Sequence, residues 1–303
     1  MFGPRLNFNF EKNWIQSLLS TKDKNWEKFI NRNHIEINKN ISSIKNIQFD
    51  CVIVNDASTV ESPKIVIPSN INSLEIINMK ENRGHARCNA FGIRYLASKS
   101  DFDHLILMDG DGEDRPEEIN DLIKKALDNL DYSVVAKRVK RSEGPFFQFL
   151  YQFHKFLTLV STGKLINFGN YSCLTKNDVI LLSTKASLWS SFSGTVKKYV
   201  KNFNNINSIR GMRYFGPSQM SLFKLAIHSF SIIGVFKYQL FFRTLIVLLA
   251  SYYLTVSYQI NFIILQILLV LFNLIVFIVS LREDQKALEA SADNVLSKNI
   301  HTH

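Results

Sequence analysis

Between His104 and Ile119 the chain reads His-Leu-Ile-Leu-Met-Asp-Gly-Asp-Gly-Glu-Asp-Arg-Pro-Glu-Glu-Ile, an apolar run that stops abruptly at Asp109, Asp111, Glu113 and Asp114. Four carboxylates packed this tightly repel one another, and a cation is the usual remedy. Hard oxygen ligands select Mg2+ or Mn2+. Gly110 and Gly112 let the backbone bend so that alternate carboxylates can point at one ion. A solvated acidic turn would not ordinarily begin at the last residue of a hydrophobic strand. A calcium loop of the EF-hand kind fails because Asp114 stands where glycine is needed and Asn120 where the closing glutamate belongs. What remains is a divalent-metal site that grips a diphosphate, with Asp109 and Asp111 as ligands.

Such a site needs rigid elements to hold it. Apolar runs rich in branched residues at Cys51 to Val54, Leu74 to Ile77, Leu105 to Met108 and Ser133 to Ala136 each suit a buried strand. Helical patterns at Ala86 to Ser98 and Pro116 to Leu130 lie between them, the second opening on proline and two glutamates. Alternating strands and helices imply an α/β domain with a Rossmann-like, mostly parallel sheet. Ligands of such sheets bind beyond the carboxyl ends of the strands, which directs attention to Asn55 to Thr59 and to Asp109 to Arg115.

The C-terminal third has a different solvent in mind. Thr244 to Leu281 is a run of 38 residues without Asp, Glu, Lys or Arg. As one helix it would be about 57 Å long, against a hydrocarbon core of about 30 Å, so it must fold back. The polar break at Ser257, Tyr258, Gln259 and Asn261 is the best turn, giving spans near Tyr238 to Ser257 and Ile260 to Ser280. Lys237 and Arg243 at the entry, Arg282 and Lys286 at the exit and an uncharged turn put both ends in the cytoplasm. Ser221 to Phe236 mixes Lys224 and His228 with eight large apolar residues, as a helix lying in the membrane interface does. The expected organisation is a cytosolic catalytic domain at 1–215, an interfacial amphipathic helix at 216–237, a transmembrane helical hairpin at 238–282 and a cytosolic tail at 283–303.

The formal charge of +10 suits anionic lipid or phosphorylated small molecules, and no nucleic-acid-binding motif accompanies it, so nucleic acid is not an expected partner. Cys51, Cys88 and Cys173 lack metal-ligand or paired spacing, which fits a reducing compartment. The N-terminus lacks a basic start followed by an apolar stretch, leaving targeting to the apolar run near the end.

Taken together and in this order, the motifs resemble the family 2 glycosyltransferases of the GT-A fold, and within them the polyprenyl-phosphate sugar transferases, the group of the dolichyl-phosphate mannose synthases. Asp109-Gly110-Asp111 matches the Asp-x-Asp metal motif, with Pro116-Glu117-Glu118-Ile119 in pattern behind it. Val54-Asn55-Asp56-Ala57-Ser58-Thr59 is similar to the Val-Asp-Asp-Gly-Ser-Thr turn that holds the nucleoside, with asparagine in place of one aspartate. Asn82-Arg83-Gly84-His85-Ala86-Arg87-Cys88-Asn89-Ala90 is similar to the Asn-x-Gly-x-x-x-Ala stretch that opens the next helix. The family's first strand has its nearest candidate at Ile15 to Lys24, with Asp23 the nearest acid.

The resemblance implies a metal-dependent inverting transfer from a nucleotide-sugar donor to a membrane polyprenyl-phosphate acceptor, with Mg2+ or Mn2+ as cofactor. On the donor side it implies Asp56, Ser58, Asn82, Gly84 and Asp114 as binding residues. On the acceptor side, Arg138 with Lys137, Lys140 and Arg141 matches the Gly-Ser-Arg segment, and Ile166 to Ser172 occupies the place of an acceptor-side turn. Ile209 to Met220 resembles the Arg-x-x-Gly-x-Ser-Lys-Met loop, with Gln219 for the lysine; aligning Gly216, Ser218 and Met220 puts Arg213 over the donor diphosphate and leaves Arg210 as a neighbouring phosphate contact. The aromatic stretch from Pro145 to Val160 either lines a lipid route or packs near the bilayer. A hydroxyl acceptor would need a general base, for which Asp178 is conceivable. A non-catalytic membrane adaptor is the reading of another class, and a homo-oligomer is left open.

Overall fold

The computed structural model describes residues 13–21, 35–42, 44, 47–58, 67, 69–99, 102–140, 145–214 and 221–302. Asp23, Thr59, Arg141 and the segment holding Gly216, Ser218, Gln219 and Met220 lie outside the described residues.

Eight strands form one sheet: β1 (Asn13–Thr21), β2 (Ile47–Asn55), β3 (Ser73–Met79), β4 (His104–Asp109), β5 (Ser133–Lys140), β6 (Phe168–Thr175), β7 (Phe203–Ile209) and β8 (Val295–Thr302). Their order is β7-β5-β6-β4-β1-β2-β3-β8. β4, β1, β2 and β3 run parallel, as do β5 and β7, whereas β6 and β8 run against their neighbours. The first strand falls at Asn13–Thr21, so the Ile15 to Lys24 candidate is a strand three residues shorter at its carboxyl end, inserted between β4 and β2.

Both faces of the sheet are covered, and the period-two alternation of side chains decides which residue goes where. In β2, Phe49, Cys51 and Ile53 join one core while Val52 and Val54 join the other. In β4, Ile106 and Met108 pair with the first set, Leu105 and Leu107 with the second. The first core is closed by α1 (residues 35–41), through Ile37 and Ile41, and by α3 (Ile119–Leu127), which a 3-10 turn at Pro116–Glu118 precedes. The second is closed by α2 (His85–Ala97), α5 (Lys176–Ser183) and α6 (Phe192–Tyr199). Thr175 and Ser191 cap α5 and α6 by accepting the Asp178 and Gly194 amides.

Because β4 and β2 flank β1 in parallel register, Ser20 stands beside Asp109 and Thr21 beside Asn55. The two polar turns singled out in the sequence are thereby brought to the same end of the sheet.

Beyond α4 (Pro145–Thr162), helix α7 (Leu222–Gly234), capped by Ser221, leads into α8 (Lys237–Tyr258) and α9 (Ile263–Ser280). At about 1.5 Å per residue α8 and α9 are about 33 and 27 Å long. Both are long and apolar enough to cross a membrane. The chain reverses at Gln259, whose φ of 55° is left-handed. The polar residues inside the hairpin find each other: Asn273 donates to Thr244 at 2.9 Å and Gln266 to Ser251 at 3.1 Å. In an apolar medium such pairs help to hold two helices together, and Asn273 also donates to the Leu269 carbonyl of its own helix at 2.8 Å.

The segment expected as a tail, 283–303, carries structure of its own. Residues after α9 form α10 (Gln285–Glu289) and then β8, which pairs with β3 from Ser73 to Met79. The reason is an open sheet edge: β3 would otherwise present unpaired backbone groups, and β8 covers them. Asn294 fastens the junction, donating to the Glu81 carbonyl and accepting the Glu81 amide, while its own carbonyl accepts the Lys80 amide at 2.7 Å. Lys237 at the start of α8 pairs with Glu283 after α9 at 2.9 Å, so the two ends of the hairpin meet.

Candidate active site

Asp109 closes β4, and the loop behind it is held by its own side chains. The Asp114 carboxylate accepts the Asp109 amide at 2.9 Å, and the Asp111 Oδ1 accepts the Glu113 amide at 3.0 Å. Asp114 is buried, and burial together with the nearby Asp109 charge pushes its pKa up to about 8. It therefore shapes the loop from behind, and its carboxylate is turned onto Asp109's backbone.

Asp109 faces the first residue of α2. Its Oδ1 lies 3.2 Å from His85 Nε2 and accepts from Asn170 Nδ2 at 3.3 Å. Desolvation works against the charge on both partners, although the His85 side chain is 42% exposed. The attraction of Asp109, with Asp111 and Asp114 behind it, nonetheless lifts the His85 pKa to about 9. Reciprocally, the His85 charge and hydrogen bond, with Arg138 and Asn170, hold Asp109 below the usual carboxylate range. His85 was legible only as one letter of a helix-opening motif; its partnership with Asp109 joins residues from two elements and leaves no local trace.

The segment 210–214 lies along the acidic loop like a zipper. Gly211 donates to the Glu113 carbonyl at 2.9 Å and Tyr214 to the Asp111 carbonyl at 3.1 Å. Arg213 aims Nε and Nη2 at Asp111 Oδ2, at 2.9 and 2.7 Å, and Arg210 pairs with Glu113. Close approach depends on glycine: at Gly112, whose φ is +86°, a Cβ would stand 2.6 Å from the Tyr214 ring. At Gly211 it would stand 2.5 Å from the Gly112 carbonyl.

Arg138, near the end of β5, lies close enough that its charge favours the ionised forms of Asp109 and Asp114, against the burial that raises Asp114 overall. Its guanidinium fills the space that Gly169 leaves open, where a Cβ would come within 2.3 Å of Nη2. Gly169→Ala is therefore expected to dislodge Arg138 and cut kcat/KM by about tenfold or more, with the fold kept, since only a flexible side chain has to move. A kinetic comparison of Gly169→Ala with Arg138→Ala checks this: the two should resemble each other, and the double variant should be no worse than the Arg138 variant alone. His228 of α7, although its surface is exposed, lies within electrostatic reach of His85, His154, Arg138 and Asp109, so this helix borders the site.

On the β2 side, Asp56 is buried and both carboxylate oxygens accept backbone amides, those of Arg83 at 3.0 Å and Gly84 at 2.9 Å. Asn82 donates to the Asp56 carbonyl, and the Ser58 amide is held by Asn55. Asp56, Asn82 and Gly84 thus form a brace between two turns. Gly84 has φ 92° and ψ 156°, a region essentially reserved for glycine. Ala57, where the resembled motif keeps glycine, adopts a φ of 55° and carries the strain of its Cβ.

Asp178 is not placed for base catalysis. It accepts from Ser133 and lies in the first turn of α5, behind Thr175, which pairs with His104. His104 and Asp109 are opposite ends of β4, about 17 Å apart at about 3.4 Å per residue. Asp178 therefore sits at the opposite end of the strands from Asp109.

The donor set suits a hard divalent cation in kind: carboxylate oxygens at Asp109 and Asp111 on one glycine-bent turn. Among the described residues no group of three or more His, Cys, Asp or Glu side chains surrounds a common point. Asp109 and Asp111 are the two carboxylates on this turn that would hold such a cation.

Comparison with known proteins bears on this arrangement. The family model described as "Glycosyl transferase family 2" matches residues 28–213, more than half of the chain and ending at Arg213. No curated protein sequence matches the chain. Among solved structures, glucosyl-3-phosphoglycerate synthase from Mycobacterium tuberculosis, in complex with Mn2+, UDP-glucose and phosphoglyceric acid, is similar with a TM-score of 0.51 and 13% identity, over 75% of this chain and 80% of that one. The same synthase with Mn2+, uridine diphosphate and phosphoglyceric acid gives a TM-score of 0.50 and 14% identity, over 75% of this chain and 78% of that one. These likenesses are of fold.

Proposed function

Because the chain belongs to glycosyl transferase family 2, we propose that this glycosyltransferase moves a sugar from a nucleotide-sugar donor to a polyprenyl phosphate held in a membrane. One observation carries the choice of acceptor: the helix bordering Asp109 and Arg138, α7, runs directly into the apolar hairpin of α8 and α9. An acceptor reaching this site from α7 comes from the bilayer side.

In such a transfer the acceptor oxygen attacks the anomeric carbon on the face opposite the leaving nucleoside diphosphate, and negative charge builds on the leaving group. Mg2+ or Mn2+, held by Asp109 and Asp111, would supply the Lewis acid that neutralises it; the similar synthase is described with Mn2+ and UDP-glucose. Arg213 now competes with a cation for the charge of Asp111, and a donor diphosphate would offer the guanidinium a better partner, one that accepts its planar fork. Arg213 thus passes from Asp111 to the diphosphate as the donor binds. A polyprenyl phosphate is already ionised, so it needs cations for positioning and no strong base, which agrees with Arg138 near the site and Asp178 at the opposite end of the strands. Asp56, Asn82 and Gly84 act by holding the nucleoside-side turn in shape, with Ser58 beside them.

The acceptor class is tested by offering the purified protein a radiolabelled nucleotide-sugar with polyprenyl phosphate or with the corresponding polyprenol. Label is expected on the phosphate and not on the alcohol; labelled polyprenol, or label on glycan hydroxyls alone, would move the protein to the hydroxyl-acceptor group.

The reading extends to topology: with β8 and β3 in one sheet and Lys237 paired with Glu283, both ends of the hairpin would lie on the side of the catalytic domain, and the positive residues around it favour the cytoplasm as that side. A cysteine placed after Lys286 should be labelled by impermeant reagent only in inside-out vesicles; labelling in right-side-out vesicles would rule out the two-span arrangement.

A further inference from the structure

We propose that the cleft at the far end of α2 from His85 is a second binding site, one that takes a small hydroxylated phosphate ester. The cleft has a volume of about 330 Å³ and is walled by Phe91, Arg94, Tyr95 and Ser98 of α2 and its cap, Ser183 of α5 and Ser291 of the 3-10 turn Ala290–Asn294. That size suits a small molecule. Arg94 stands about 14 Å along α2 from His85, so the cleft is separate from the acidic turn at Asp109.

Its charge selects an anion. Arg94 is half-buried in the wall, and no carboxylate among the described residues pairs with it. Lys298 of β8 is likewise without an ion pair among them, and its Nζ lies 4.4 Å from the centre of the Tyr95 ring. Glu75, the carboxylate beside Tyr95, is already satisfied: it is buried, accepts from the Tyr95 hydroxyl and pairs with Lys99. Lys99 balances that charge, which leaves Arg94 and Lys298 in excess. Two cations match a phosphate monoester, whose charge near neutral pH approaches two. A guanidinium also offers it a planar fork of donors.

The hydroxyls of the cleft point to the same ligand. Ser291 is 1% exposed, lines the cleft, and has an Oγ without a hydrogen-bond partner. Buried hydroxyls are ordinarily paired, because an unpaired one loses its hydration without replacement. A phosphate oxygen would accept its proton. Ser98 Oγ already donates to the Tyr95 carbonyl and Ser183 Oγ to the Ile180 carbonyl. These two can only accept from a ligand, and hydroxyl groups on its body would supply the protons.

The third wall belongs to the chain that follows the hairpin. Asn294, at the end of the same 3-10 turn, holds both the amide and the carbonyl of Glu81. A ligand that bridges Arg94 and Ser291 therefore fastens the C-terminal segment to the opposite end of α2.

The experiment uses the full chain in phosphatidylcholine nanodiscs with Ala292→Cys, an exposed position on the cleft wall, and glycerol 3-phosphate as the probe. The native Cys51, Cys88 and Cys173 are buried, so a methanethiosulfonate reagent reads the introduced thiol. Its modification is expected to slow at least about threefold in glycerol 3-phosphate and not in glycerol, while Ile180→Cys, exposed elsewhere on α5, is unaffected by either. Arg94→Met should abolish the protection, and Arg138→Ala and Arg213→Ala, at the catalytic end, should keep it. Ser291→Ala separates a ligand contact from a structural one. Without ligand it should melt no lower than its parent, because no hydrogen bond is lost, yet protection should need about tenfold more glycerol 3-phosphate. Absence of protection, protection that survives Arg94→Met, or protection lost in Arg138→Ala or Arg213→Ala overturns the site. Protection by phosphatidic acid in the nanodisc but not by glycerol 3-phosphate overturns the hydroxylated ligand in favour of a lipid headgroup.

Discussion

Asp111→Asn is expected to lower sugar transfer to below about 1% of the wild-type rate, a barrier increase of at least about 2.7 kcal/mol, with the fold intact. Two independent contributions disappear together. The substitution removes one of the two carboxylates available to a divalent cation, and charge neutralisation at a leaving diphosphate is the main catalytic burden of this chemistry. It also removes the negative partner on which Arg213 rests, so that the arginine loses its resting position before the donor arrives. Stability should change little, because Asn is isosteric and its side-chain carbonyl can still accept the Glu113 amide that Asp111 Oδ1 now receives. Circular dichroism and thermal melting control for folding, and the rate is measured at saturating Mg2+ or Mn2+. A variant that keeps more than about a tenth of the wild-type rate, a loss under about 1.4 kcal/mol, leaves no room for the metal role.

Arg213→Ala is expected to cut turnover by about a hundredfold, and Arg213→Lys to recover only part of it, because an ammonium cannot reproduce a planar fork on a diphosphate. The resting contact adds a signature that a merely structural arginine would not show. In the absence of donor, Arg213 neutralises Asp111, so Arg213→Ala should bind Mn2+ alone more tightly than wild type while turning over more slowly. Arg210→Ala breaks the pair with Glu113 and leaves Asp111 and Arg213 in contact, so it should do less to turnover. Steady-state kinetics with a Mn2+ titration separates the two. A dead Arg210→Ala beside an Arg213→Ala of normal turnover and donor affinity would shift the donor-covering role by three residues.

The parts of the fold legible in the sequence were those whose residues meet the same environment on both faces. β2, β3 and β4 are nearly continuous apolar runs because both faces of the sheet are covered, and α8 and α9 are uncharged over their facing lengths. β7, with Asn204, Asn205 and Asn207, and β8, with Ser297, Lys298 and Asn299, are polar edge strands that read as loop and tail. Edges are kept polar to discourage further pairing, so hydrophobic periodicity does not find them. β1 was found only by resemblance, since Asn13, Gln16, Ser17 and Ser20 interrupt its apolar pattern.

The site divides in the same way. Asp109 and Asp111 declare themselves because four acids on one turn are locally anomalous. Arg213 could be aligned, and the structure sets it on Asp111. His85, Asn170 and the Gly169 space for Arg138 depend on partners from other elements, and nothing in their immediate sequence marks them. Asp56 shows the opposite case, a residue conspicuous in a motif whose carboxylate is turned onto backbone amides of the 82–84 turn.

The most direct test of the account is the rate at which nucleoside diphosphate is released from a nucleotide-sugar by the purified full chain in lipid, measured with and without polyprenyl phosphate and with Mn2+ or a chelator. Release is expected only when Mn2+ and polyprenyl phosphate are both present, with label appearing on the lipid in equal amount. Release that is indifferent to polyprenyl phosphate, or that continues at the same rate after chelation, would contradict it.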